Sequence, residues 1–178
     1  MPVFDRSPSD AVEVIDKWDS GFGWLAHPDE DGKRASHALR GDDGVWIFDP
    51  LEAPDICRRI SELGTVRGVV LMSSFHARDA DQFADHYDVP VYLPTWMERP
   101  AGELDAPMER YEAPPGEWTE LAGSGISVRT VDSSFVWREI IAYHHAEKTL
   151  RVPDILSPVS EFRMADERVG CYLLHRIS

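Results

Sequence analysis

Uninterrupted apolar runs bounded by Gly, Asp and Pro dominate the first half of this chain, and between them apolar residues recur every three or four positions. The runs Val45-Trp46-Ile47-Phe48, Gly68-Val69-Val70-Leu71-Met72 and Val89-Pro90-Val91-Tyr92-Leu93 predict buried strands. Between the first two, Ile56, Ile60 and Leu63 share one face of a helix that starts at Pro54 and ends at Gly64 as a left-handed cap. Between the second and third, Ala80, Phe83, Ala84 and Tyr87 form a core face and Arg78, Gln82, Asp85 and Asp88 a wet one, with Ser73 or Ser74 as the cap. Residues 45–93 therefore read as a β-α-β-α-β unit, for which right-handed crossovers and parallel pairing are expected.

Upstream, residues 21–27 and 35–40 read as strands joined by the polar turn 28–33, and with 45–48 they predict an antiparallel meander. Ser7 as a cap, Pro8 at the first helical position and the stripe Ala11, Val14, Ile15, Trp18 predict a short helix before them. Downstream, Pro94, Pro100, Pro107, Pro114 and Pro115 among acidic residues make 94–118 an irregular excursion, either a lid or a plain connection. Strands then follow at 126–131, 135–143, 149–152 and 169–174. A βαβ half followed by a β-rich half is what a sheet-on-sheet sandwich flanked by helices requires. The 178 residues suit one domain, 1–178, and no segment reaches the ~18 consecutive apolar residues of a membrane span.

Charge narrows the partners. The chain carries 18 basic and 32 acidic residues, a net −14, and only Lys17, Lys33 and Lys148 of the basic set are lysine. An acid-rich, lysine-poor surface suits a salt-rich cytosol, where screening relieves self-repulsion. The same field repels phosphate backbones, so no general nucleic-acid partner is expected, a local basic patch aside, and the lack of a long apolar segment leaves no membrane partner expected either. A small-molecule ligand and a homodimer remain compatible with it. The opening residues lack a basic-then-apolar leader, and Cys57 and Cys171 are far apart, which points to a reduced cytoplasmic protein with two structural thiols. Of the six tryptophans, most should be core, while Trp96 and Trp118 flank the Pro-rich excursion and could line a pocket or partner surface.

Candidate chemistry sits where strands end. Gly44-Val45-Trp46-Ile47-Phe48-Asp49-Pro50 runs an apolar strand into a carboxylate. Gly68 to Met72 runs into Ser73-Ser74-Phe75-His76-Ala77-Arg78-Asp79-Ala80-Asp81, a polar turn opening a helix. Ligands of layered α/β proteins bind at such carboxyl ends. With these segments, and the hairpin from Trp137 to His145 and from Lys148 to Asp154, the chain resembles the metallo-β-lactamase fold over residues 35–156. That resemblance implies a four-layer αββα sandwich. It also implies a metal site at the strand ends, drawn from a Thr-His-x-His-x-Asp-His loop.

The family loop is matched only by His76 and by Asp79 or its neighbour. Asp132 stands where the family places a middle histidine, and Asp154 matches its bridging carboxylate. The shell the resemblance implies is therefore His76, Asp79, Asp132 and Asp154, one nitrogen with several oxygens. Such a shell would favour Mn²⁺ or Mg²⁺ over Zn²⁺, and the cofactor expectation is none or a single divalent ion. The bland reading of His76 is a helix-cap residue bonded to Asp79; that of Asp154 is a strand-end cap. His144 and His145, adjacent on a strand, point to opposite faces. Three functions follow. The first is a binding or scaffold protein that has lost the metal shell. The second is a hydrolase with an oxygen-rich metal site acting on an ester, thioester or phosphodiester. The third is a metal-free catalyst using His76 and Asp79 as a proton-transfer pair. No Gly-x-Ser-x-Gly elbow, phosphate loop or dinucleotide fingerprint is present.

Overall fold

In the computed structural model, which describes residues 5–132, 138–153 and 174–176, two sheets pack face to face. The first has seven strands in chain order: β1 (Glu13–Trp18), β2 (Gly21–Leu25), β3 (Ala35–Arg40), β4 (Val45–Phe48), β5 (Val66–Val70), β6 (Val91–Pro94) and β7 (Met108–Tyr111). β1 to β4 form the antiparallel meander, and β4 to β7 pair in parallel. The second sheet is antiparallel, with β8 (Thr119–Glu120), β9 (Ile126–Asp132), β10 (Arg138–His144), β11 (Thr149–Arg151) and β12 (Leu174–Arg176).

The two faces of the first sheet bury different cores. Ile47, Val69, Val91 and Leu93 face the helices α1 (Ile56–Leu63), α2 (Ala80–Tyr87) and α3 (Glu98–Ala101), packing with Ile56, Ile60, Phe83 and Met97. Trp46, Phe48, Val70 and Met72 face the second sheet, against Ile126, Val128, Ile140 and Ala142. Strands buried on both faces read as unbroken apolar runs, as β4 and the later part of β5, from Gly68 on, do here. This is the α/β sandwich the resemblance implied. The sheets are stitched where the chain leaves β5: Ile140 N–H donates to Met72 O, and Ser73 bridges Glu139.

Four expectations about local structure are corrected. Residues 7–18 are not a helix; Glu13–Trp18 is an edge strand on β2. Its bulge between Ile15 and Trp18 places Asp16 in the left-handed region (φ 47°), and β2 accepts it only because Gly21 and Gly23 leave room for the Trp18 and His37 rings. The helix expected from Ser73 or Ser74 starts six or seven residues later at Ala80, with Asp79 as its N-cap, because residues 72–78 are drawn into contacts with Asp49 and β10. Finally, 94–118 is not irregular throughout: it contains α3 and β7, and β7 completes the sheet beside β6. At the end of α1, Gly64 has φ 144° and ψ −167°, outside the left-handed helical well expected of it.

Candidate functional site

The carboxyl ends of β4 and β5 converge on Asp49. This side chain is completely buried, and its backbone is left-handed (φ 46°). Its Oδ1 accepts from Met72 N–H at 2.8 Å; its Oδ2 accepts from His76 Nδ1–H and from Arg151 Nη2–H, each at 3.0 Å. A carboxylate only accepts, so His76 carries its proton on Nδ1. Burial alone would push the Asp49 carboxyl up, but His76, Arg151 and the neighbouring Arg78 together hold it well below the usual carboxylate range.

Arg151 is the buried cation of this centre, 3 % exposed. It reaches across from β11 of the second sheet. Besides Asp49, its guanidinium donates through Nε to His37 Nδ1 (3.2 Å), through Nη2 to Ala35 O (3.4 Å) and through Nη1 to the Met72 thioether. Accepting at Nδ1 fixes His37 as the neutral tautomer protonated on Nε2, which faces Asp16 Oδ2 at 3.8 Å, too far for a hydrogen bond. Burial pulls the His37 imidazole down to about 4, against a smaller upward pull from Asp16. Arg78, also left-handed (φ 46°), donates through Nη1 to the backbone oxygens of Ala35 (3.1 Å) and Asp49 (2.9 Å). Asp49 and Arg78 are thus two of the seven non-glycine residues with positive φ among the described residues and belong to one connected cluster, with a third, Asp16, beside it. Strained backbone of this kind persists where surrounding contacts over-determine it, as at sites.

Above the cluster lies an open cavity of about 930 Å³. Its most enclosed walls are Leu51 and His76, with Ala77 and Arg78 beside them, and its rim includes Lys33, Phe75 and Arg99. Phe75 is 49 % exposed, with the Arg99 guanidinium 4.7 Å from its ring centroid.

Of the four residues proposed as a metal shell, His76 and Asp79 both line this cavity, but they do different work. His76 pairs with Asp49, not with Asp79 as its bland reading had it. The Asp79 carboxylate accepts from Glu52 N–H at 2.7 Å, tying the segment after β4 to the start of α2. Asp132 is the last residue of β9, and its side chain lies outside the described residues, as does Asp154 entirely. Among the described residues no group of three or more His, Cys, Asp or Glu is arranged to hold a metal. Sequence reasoning missed Arg151 and His37. A signal existed: both are charged or titratable residues within segments that read as strands, where burial demands a partner.

No family model and no curated protein matches the sequence. Solved structures do match in fold. A metallo-β-lactamase from Hirschia baltica superposes with a TM-score of 0.59 at 12 % identity, covering 78 % of this chain and 69 % of that one. A Pseudomonas aeruginosa metallo-β-lactamase in its mono-zinc form gives 0.57 at 10 % identity, covering 82 % and 70 %. A metal-soaked flavodiiron core from Synechocystis gives 0.59 at 9 % identity, covering 83 % of this chain and 43 % of that one. The chain has the metallo-β-lactamase fold.

Neighbours of that fold make a metal an obvious candidate here, so the donor set has to be tested against one. It does not fit. The carboxylate, imidazole nitrogen, thioether and carbonyl that converge between the sheets already surround a guanidinium, and both Asp49 oxygens are engaged. A cation entering there would have to expel Arg151, at the cost of a buried guanidinium left without its carboxylate.

Proposed function

We propose that this chain is a binding protein on the metallo-β-lactamase fold whose centre is charged by Arg151 in place of a metal ion, and whose ligand is a small molecule seated in the cavity beside His76. The observation that carries the reading is the Arg151 guanidinium bonded at once to Asp49, His37 and Ala35. The position of the cavity at the strand carboxyl ends supports it, since that is where layered α/β frames hold ligands. The test is metal analysis of the full chain purified without chelator, alongside His76→Ala and Asp154→Ala. Metal well below one equivalent in all three is expected. One equivalent of zinc, manganese or iron in the wild type, lost in both variants, would sink the reading and restore a metal-dependent hydrolase.

A proton-transfer role is favoured by one further feature, the buried Asp49–His76 pair in the cavity wall. Asp49 orients the imidazole and stabilises its protonated form, the arrangement a general base needs. On this reading the pair is His76 with Asp49, and Asp79 has no share in it. If such activity exists, Asp49→Asn should depress kcat far more than KM and shift the acid limb of the pH profile. An unchanged profile argues for binding alone.

A further inference from the structure

The buried His37 ring, midway along β3, has a different charged neighbour at each nitrogen. Arg151 Nε–H from β11 donates to Nδ1 at 3.2 Å. Nε2–H finds no hydrogen-bond acceptor, and the Asp16 carboxylate of β1 stands off from it at 3.8 Å. Among the described residues, the charged groups facing the ring are Asp16 from β1, Asp49 from β4 and Arg151 from β11. β2 meets the ring at Gly23, where a Cβ would come within 2.6 Å of Nε2. A guanidinium has no acceptor atoms and keeps its protons, so Nδ1 can serve Arg151 only through a free lone pair. A proton on Nδ1 and the bond from Arg151 therefore exclude one another. The side of the ring toward Asp16 has the opposite preference. An imidazolium would lie there at ion-pair distance from a carboxylate held beside it by the bulge of β1, with Asp16 itself in the left-handed region.

We propose that His37 is an acid-operated latch between the two sheets: neutral, it holds Arg151 of β11, and on taking up a proton it lets go of Arg151 and pairs with Asp16 of β1. The proton comes from solvent and adds to the Nδ1 lone pair, while Nε2 keeps its own. Four charges then sort into two pairs, Arg151 with Asp49 and His37 with Asp16. The edge strand gains the tie that the second sheet loses. The latch goes beyond the binding assignment and works whatever the cavity holds. Burial, with Arg151 behind it, delays the uptake to about pH 4 against the upward pull of Asp16 and Asp49.

The experiment is nitrogen-15 NMR of the histidine rings in the full chain, titrated from about pH 7 to about pH 3 and paired with amide exchange. His37→Gln identifies the signal by removing it. At neutral pH the ring should be the tautomer protonated on Nε2, and its midpoint should lie at about 4. Asp16→Asn, which suits the left-handed backbone, should move that midpoint to lower pH. As His37 charges, the protection of the β11 amides should fall about 10- to 100-fold relative to those of β5, the worth of one hydrogen bond from a charged donor. In His37→Gln, whose amide oxygen accepts from Arg151 at any pH, that ratio should not change. A ring protonated on Nδ1 at neutral pH, a midpoint indifferent to Asp16→Asn, or a constant ratio of β11 to β5 protection in the wild type overturns the latch. So does a chain that unfolds in acid with His37 still neutral.

Discussion

Replacing Arg151 by methionine removes one charge of a fully buried pair and leaves Asp49 alone at the meeting of two sheets. The side chains are 3 % and 0 % exposed, and the carboxylate would keep only Met72 N–H and His76 as partners. Breaking a buried pair on one side costs about 3–5 kcal/mol. For a domain of this size that is a fall in melting temperature of roughly 6–20 °C, at about 2–4 °C per kcal/mol. Methionine retains much of the apolar stem, so the loss reports on the charge more than on a cavity. Asp49→Asn should cost a similar amount by stranding the guanidinium. The double variant should lose less than the two singles together, since neither charge is then alone. Circular dichroism melts and urea titrations of the four proteins give the coupling, expected at a few kcal/mol. Strict additivity would refute the claim that the two groups are each other's counterion. So would Arg151→Met melting with the wild type, or a large rise in wild-type melting temperature on adding one equivalent of a divalent metal.

Acid should destabilise the fold through His37. Its folded-state value of about 4 lies below the ordinary 6.5, so the unfolded chain binds the extra proton between those limits and stability falls as pH drops through that window, by about 3 kcal/mol in all. Asp49, held low, adds its own loss only at still lower pH, and in a His37→Gln variant the melting temperature should be flatter between pH 6.5 and 4. Gly23→Ala would place a methyl carbon 2.6 Å from His37 Nε2 and 3.0 Å from Ile15, so a loss of about 1–3 kcal/mol is expected in chemical denaturation; a neutral result would mean that the His37 ring shifts freely. Cys57 is half-buried and its thiol is pushed up by burial, so in a Cys171→Ser background it should react with a disulfide reagent at least about tenfold more slowly in the folded than in the unfolded chain.

What the sequence made legible was local. β4, the part of β5 from Gly68 on and the core face of α2 follow from apolar runs and from the spacing of Ala80, Phe83 and Ala84, and the structure places them where periodicity did. The strand ends at Asp49 and His76 were legible for the same reason. Three features were not. β1 carries a helix-like stripe, but pairing with the glycines of β2 overrides it. β7, Met-Glu-Arg-Tyr, is polar and exposed, so nothing in its pattern marks it as a strand before β6 supplies the ladder. Arg151 joins Asp49 from 102 positions away, a contact invisible to any window of sequence. Arg110 belongs with these: it donates to Pro94 O and Met97 O, holding the turn before α3 from the edge strand.

The reach of Arg151 from the second sheet into the first bears on how the molecule comes apart. β11 cannot detach from the assembly by fraying without first baring a fully buried carboxylate and imidazole. Closing so long a stretch of chain is slow, and it brings reward only once both halves have formed. The two sheets should therefore be won and lost in one step, and amide exchange in the β10–β11 hairpin should track global opening instead of local breathing.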